Sequence, residues 1–130
     1  MGLPPLPSLV TLLALVLYQA TTIQVGRARF EHKVKPPATT GPEGFERALR
    51  VQLNTLEQLV FFLPAFWLAV GFGPVGAACA LGFVWVGARV AYAVGYWQAP
   101  EKRGPGFGIA LLSSVALLVM AFVGVVGQLG

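Results

Sequence analysis

The stretch FERALRVQLNTLEQLVFFLPAFWLAV, Phe45 to Val70, decides the fold. Arg47, Arg50, Asn54 and Glu57 lie in its first half, and from Gln58 onward it carries no charge. Those four polar residues are spaced three, four and three apart. At about 100° per residue they fall within roughly 80° of one another on a single helix face. Two arginines, an amide and a carboxylate on one stripe are costly beside lipid, so the stripe faces protein, water or a polar ligand.

The rest of the chain extends the same pattern. Of its 130 residues, 56% are hydrophobic and only 11% charged, against about 25% charged in a soluble domain. Residues 1–26, 58–88 and 104–130 contain no Asp, Glu, Lys or Arg. Four apolar segments follow, near Leu6–Val25, Phe45–Val70, Pro74–Trp97 and Phe107–Gln128. Each approaches or exceeds the ~20 residues that cross a hydrocarbon core. Short links after the second and third segments make those neighbours antiparallel. The reading is an all-α, integral membrane four-helix bundle forming one domain over residues 1–130. The first segment lacks a basic flank and an A-x-A site, so a membrane span is expected there rather than a signal peptide.

Basic residues set the expected orientation. Arg27, Arg29, Lys33, Lys35, Arg47 and Arg50 surround the first loop, and Lys102 and Arg103 lie in the third. The second loop, around Gly71–Gly76, has none. The positive-inside rule places the first and third loops in the cytoplasm and both termini opposite. The net charge of +4 is then a topology signal and implies no nucleic-acid partner. The first loop, Gly26–Gly44, is the one long connection, with Pro36-Pro37 extended and Gly41-Pro42 turning. Helix two is expected to start near Pro42 and to kink or loosen at Pro64.

The third segment carries a second stripe: Trp85, Arg89, Tyr92 and Tyr96, spaced four, three and four. Tyr96 and Trp97 suit the aromatic belt at the interface. Arg89 lies within the span, where it either snorkels to the headgroups or pairs with Glu57. The fourth segment has no ionisable group, and its glycines, Ser113 and Ser114 suit helix packing.

Several chemistries are excluded. His32 is the only histidine and Cys79 the only cysteine, so no metal set and no intrachain disulfide is expected. There is no Asp, so a Ser/His/Asp triad is not available. What remains is a cationic, tyrosine-containing site with one carboxylate. Arginines bind carboxylates bidentately, and an arginine near a thiol favours the thiolate. The inventory fits a small ligand with more negative than positive charge.

The runs TTGPEGFERALRVQLNTLEQLVFFLPAFWLA and ARVAYAVGYWQAPEKR resemble the MAPEG family, the membrane-associated proteins in eicosanoid and glutathione metabolism. The pattern E-R-x-x-R-x-x-x-N-x-x-E spans Glu46–Glu57, and R-x-x-Y-x-x-G-Y spans Arg89–Tyr96. The nearest likeness is to the microsomal glutathione transferase and leukotriene-forming subgroup. The resemblance implies a homotrimer that binds glutathione between subunits near the cytoplasmic face. It implies Arg50, Asn54, Glu57, Tyr92 and Tyr96 as glutathione ligands from one subunit, and Arg29 and Gln52 from its neighbour. Gln52 lies about 140° around helix two from Arg47, off the stripe, which suits a shared site. Arg103 matches the arginine that stabilises the glutathione thiolate and is the expected catalytic residue. The implied partners are glutathione, a lipophilic electrophile from the bilayer, membrane lipids and further copies of the chain. Phe30 and Gln58 depart from the leukotriene-forming pattern, which has a second arginine and a tyrosine there.

The expected activity is a glutathione S-transferase, with peroxidase activity on lipid hydroperoxides as an extension. One rival is a non-catalytic lipid-binding or scaffold protein of the same fold. Another is a small four-helix drug exporter, but its carboxylate belongs in the first helix, which here has no acid.

Overall fold

In the computed structural model, which describes residues 2–130, the chain is all helical. Helix α1 spans Pro5–His32, α2 Glu43–Phe72 and α3 Val75–Gln98. A short 3-10 turn, Pro100–Arg103, then leads directly into α4, Gly104–Leu129. All four α-helices are long and apolar enough to cross a membrane. Helices α1, α2 and α4 also outrun their apolar segments, because a helix need not stop where the hydrocarbon does, whereas α3 matches its segment to within one residue at each end. At 30 residues, α2 is about 45 Å long, against a hydrocarbon core of about 30 Å.

The largest departure from expectation is at the first loop. Residues 26–32 extend α1 instead of opening the loop at Gly26. Arg, Ala and Glu are good helix formers, and no proline interrupts them. The helix ends at Lys33, in the left-handed region at φ 57°. The Val34 N–H then closes back onto the Arg29 carbonyl at 3.0 Å. This is a Schellman-type ending, and Val34 packs beside Ala28 and Phe45 to seal it. Helix α4 likewise starts before Phe107, with Pro105 in its first turn. Helix α2 passes through Pro64 as a single helix.

Helices α1 and α4 each pack on both α2 and α3, and scarcely on each other. The inner pair is therefore α2 and α3. Between them the Phe62 and Trp85 rings stack with centroids 4.0 Å apart, and Phe66 continues the stack at 5.5 Å from Phe62. Val10, Ala14 and Leu17 from α1 and Leu117 and Ala121 from α4 complete this core. Small residues let the backbones meet: a Cβ on Gly106 of α4 would lie 2.5 Å from the Tyr92 nitrogen of α3. Leu112, Val119, Phe122 and Val123 point outward from α4, as lipid-facing residues do.

The charged ends converge. Arg47 Nη2 of α2 donates to the Trp97 carbonyl of α3 at 3.5 Å. The Arg29 guanidinium of α1 lies 4.8 Å from the Phe45 ring centroid of α2. The α1–α2 loop and the α3–α4 turn thus lie at one end of the bundle, and the polar stripes open there.

Candidate functional site

The α2 stripe divides into two groups in three dimensions. Arg47 closes the helix start, with Nη1 2.6 Å from Glu43 Oε1. Arg50 and Asn54, further along, line a cleft of about 400 Å³ with Tyr92, Tyr96, Arg103 and Phe107. Helix α3 presents its two tyrosines one turn apart, edge to face, with ring centroids 5.7 Å apart. The 3-10 turn folds back so that the Arg103 guanidinium lies 5.2 Å from the Tyr96 ring centroid. Arg103 Nη1 also donates to the Pro100 carbonyl at 3.3 Å, which ties the side chain to its own turn. Gly95 makes this fold-back possible, since a Cβ there would lie 2.6 Å from the Lys102 carbonyl oxygen.

The cleft has a consistent chemistry. Two guanidinium groups, two phenols and an amide face one volume. Asn54 Oδ1 is buried without a hydrogen-bond partner among the described residues, which leaves an acceptor at the wall. Arg50 and Tyr96 also border an adjoining cleft of about 510 Å³ that carries Glu43 and Glu46. Arg50 and Tyr96 join the two clefts into one polar trough, at whose outer part Glu43 is paired with Arg47 and Glu46 accepts from the Gly41 N–H. Such a trough suits an extended ligand with carboxylates and an ammonium group.

Glu57 stands beside the cleft rather than in its lining. Its Oε1 lies 3.6 Å from Arg50 Nη2. Neither alternative for Arg89 is realised: it makes no ion pair with Glu57, and it does not snorkel, being 1% exposed. Its Nη2 donates to Thr55 Oγ1 of α2 at 2.8 Å instead. Glu57 sits on the outer side of α2, while Arg89 enters between the helices beside Thr55, the buried neighbour of Asn54.

Two expected residues lie elsewhere. Arg29 is in the last turn of α1 and donates from Nη1 to the Ala38 carbonyl at 2.8 Å. Gln52 Nε2 donates to Thr22 Oγ1 of α1 at 3.2 Å. Neither lines the cleft of its own chain. Phe107 does line it, and sequence reasoning treated this residue only as the start of an apolar run. Its ring centroid is 6.1 Å from that of Tyr92. The signal was available: Phe107 lies one helical turn beyond Arg103. Among the described residues, no three His, Cys, Asp or Glu side chains gather as a metal set.

The family model for the MAPEG family matches residues 7–123. The chain belongs to the MAPEG family. Among its MAPEG-like relatives, an uncharacterised protein of Synechocystis sp. is 53% identical over 123 residues, covering 95% of this chain and 90% of that one. Microsomal glutathione S-transferase 2 of Mus musculus is 45% identical over 106 residues, covering 81% of this chain and 71% of the relative. Leukotriene C4 synthase of Cavia porcellus is 42% identical over 94 residues, covering 72% of this chain and 63% of the relative.

Proposed function

We propose that this MAPEG protein is a membrane-bound glutathione S-transferase whose glutathione site is the cleft of Arg50, Asn54, Tyr92, Tyr96 and Arg103. The observation that carries the reading is the turn that sets Arg103 over Tyr96, facing the same volume as Arg50. Similarity to microsomal glutathione S-transferase 2 and leukotriene C4 synthase supports it.

In this reading Arg50 takes a glutathione carboxylate and Glu57 the ammonium group. Tyr92, Tyr96 and Asn54 supply neutral hydrogen bonds. Arg103 stabilises the thiolate. The thiol proton leaves to water, and the sulfur pair then forms the new C–S bond as the leaving group departs with its own pair. Lowering a thiol pKa by two units takes about 2.7 kcal/mol. A guanidinium about 4 Å away at an effective dielectric of about 20 supplies about 4 kcal/mol, which is sufficient. With a lipid hydroperoxide, the thiolate attacks the terminal peroxide oxygen and releases the alcohol, and the thiol of a second glutathione then attacks the protonated sulfenate sulfur, forming the disulfide and expelling water.

The positions of Arg29 and Gln52 favour a shared site. Both are polar residues held outside their own chain's cleft, and in a homotrimer they reach the glutathione of a neighbour. The basic end of the bundle is assigned to the cytoplasm by its excess of Lys and Arg. Lipophilic substrates arrive from the bilayer.

The test is glutathione binding, thiolate absorbance and conjugation of a chloronitrobenzene by purified protein. The reading expects a thiolate signal and turnover that are lost in Arg103→Ala. Glutathione binding without turnover on any electrophile or hydroperoxide would favour the non-catalytic reading. Full activity in Arg103→Ala would remove Arg103 from the mechanism.

A further inference from the structure

Arg89 is the most buried charge in the chain and has no place in the mechanism above. Its side chain is 1% exposed in the interior of α3. Burying an unpaired guanidinium costs several kcal/mol. The two ion pairs among the described residues, Arg47–Glu43 and Arg50–Glu57, leave Arg89 out. Its Nε and Nη1 are buried with no hydrogen-bond partner among the described residues. Only Nη2 is satisfied, by Thr55 Oγ1 at 2.8 Å, and the Thr55 hydroxyl itself donates to the Val51 carbonyl at 2.7 Å. A leucine or methionine would fill this volume without the desolvation penalty, so packing alone does not account for arginine here.

The rings around it indicate its use. The Arg89 Cζ lies 4.1 Å from the Tyr92 ring centroid and 6.0 Å from that of Trp85. A cation on a ring face is attracted more strongly in a desolvated setting than in water. Trp85 is already fixed by its stack on Phe62. Tyr92 is 2% exposed and meets Tyr96 edge-on at 79° and Phe107 at a tilt of 48°, so neither ring stacks on its face. Arg89 therefore adds a face contact to the edge and tilted contacts that hold the Tyr92 ring. The ring plane governs the direction of the O–H bond and the face or edge offered to Tyr96, while the Tyr92 oxygen lies on the ring's rotation axis. Tyr96 in turn carries Arg103 at 5.2 Å. A line of contacts runs from Thr55 of α2 through Arg89, Tyr92 and Tyr96 to Arg103.

We propose that Arg89, anchored to α2 by Thr55, is a positioning residue for the anion cleft and acts through the Tyr92 ring. This rests on the glutathione reading of that cleft. A group that acts through Tyr92 has a distinct signature. It changes ligand affinity, the change vanishes once the ring is gone, and lysine restores only part of it, because an ammonium keeps the charge and loses the flat stacking face.

The experiment measures glutathione binding by calorimetry, with steady-state conjugation, on the full chain in lipid nanodiscs. Arg89→Gln is expected to weaken glutathione binding about tenfold and leave the KM for the electrophile unchanged. Arg89→Lys and Thr55→Val are each expected to weaken it about threefold. In a Tyr92→Leu background all three substitutions are expected to have no further effect on glutathione affinity. Wild-type affinity in Arg89→Gln, or full additivity with Tyr92→Leu, overturns the proposal. If Arg89→Gln does not fold, Arg89→Lys and Thr55→Val decide by the same criteria. Absence of glutathione binding by the wild-type protein overturns both the glutathione reading and this one. Wild-type binding that is indifferent to Arg89 overturns this one alone.

Discussion

The Glu57 carboxylate lies 3.6 Å from the Arg50 guanidinium, two helical turns away on the same face of α2. Both side chains are about half exposed, so the pair contributes little to stability, about 1 kcal/mol or less. In the proposed glutathione site its importance is in binding. A zwitterionic ligand can replace it by exchanging partners, carboxylate to Arg50 and ammonium to Glu57. A ligand without an ammonium group would leave Glu57 unpaired beside its own negative charge.

Glu57→Gln is therefore expected to unfold within about 1 kcal/mol of wild type and to bind glutathione about tenfold more weakly. An analogue lacking the γ-glutamyl amino group is expected to bind the variant at least as well as wild type. Calorimetry with both ligands checks this, and equal losses for the two would defeat the partner exchange.

Arg103→Ala is expected to act on thiol ionisation more than on glutathione affinity. The reactive form is the thiolate, so conjugation rises with pH through the bound thiol pKa. In the proposed mechanism Arg103 favours the anion and is expected to place that rise at lower pH. Without it the rise moves up by about two units, and the rate near neutral pH falls about a hundredfold. Rate against pH at saturating glutathione measures both, and an unmoved profile contradicts the role given to Arg103.

Gly95→Ala tests the turn that aims Arg103. The new methyl would sit 2.6 Å from the Lys102 carbonyl oxygen, and backbone must move to admit it. The expected cost is about 1–3 kcal/mol of stability. Conjugation is expected to fall at least tenfold while glutathione affinity changes less, because Arg50 and Asn54 lie on α2 and only Tyr96 of the proposed ligands adjoins Gly95. Thermal unfolding in detergent and parallel binding and rate measurements separate these effects.

Subunit mixing tests whether the site is shared. Chains bearing Arg29→Ala and chains bearing Arg103→Ala are each expected to be poorly active. Co-assembled, they create sites that combine an intact Arg103 from one chain with an intact Arg29 from its neighbour. Activity is expected to recover to a sizeable fraction of wild type. If Arg29 served only its own chain, mixing would restore nothing.

Much of this protein is legible in the sequence because lipid is a strict solvent. An uncharged run of membrane length, such as residues 104–130, leaves helix as the economical way to satisfy its backbone. The helical period then places Arg50, Asn54 and Glu57 on one face and Arg89, Tyr92 and Tyr96 on another. The end of α1 was less legible. Charge marks where lipid stops, whereas the helix continues to His32 until Lys33 turns left-handed.

What the sequence by itself determined is the set of faces: four membrane-length helices, two polar stripes and their place at one end of the bundle. Only the tertiary structure decided which faces meet and which side chains pair. Glu57 joins Arg50 on its own helix, and Arg89 turns inward to Thr55 and Tyr92. Gln52 and Arg29 are held away from the cleft, and Phe107 enters it. The physical reason is that periodicity orients a residue about its own helix axis. Partner choice depends instead on how neighbouring helices rotate and approach one another, and small residues such as Gly106 and Gly95 set that approach.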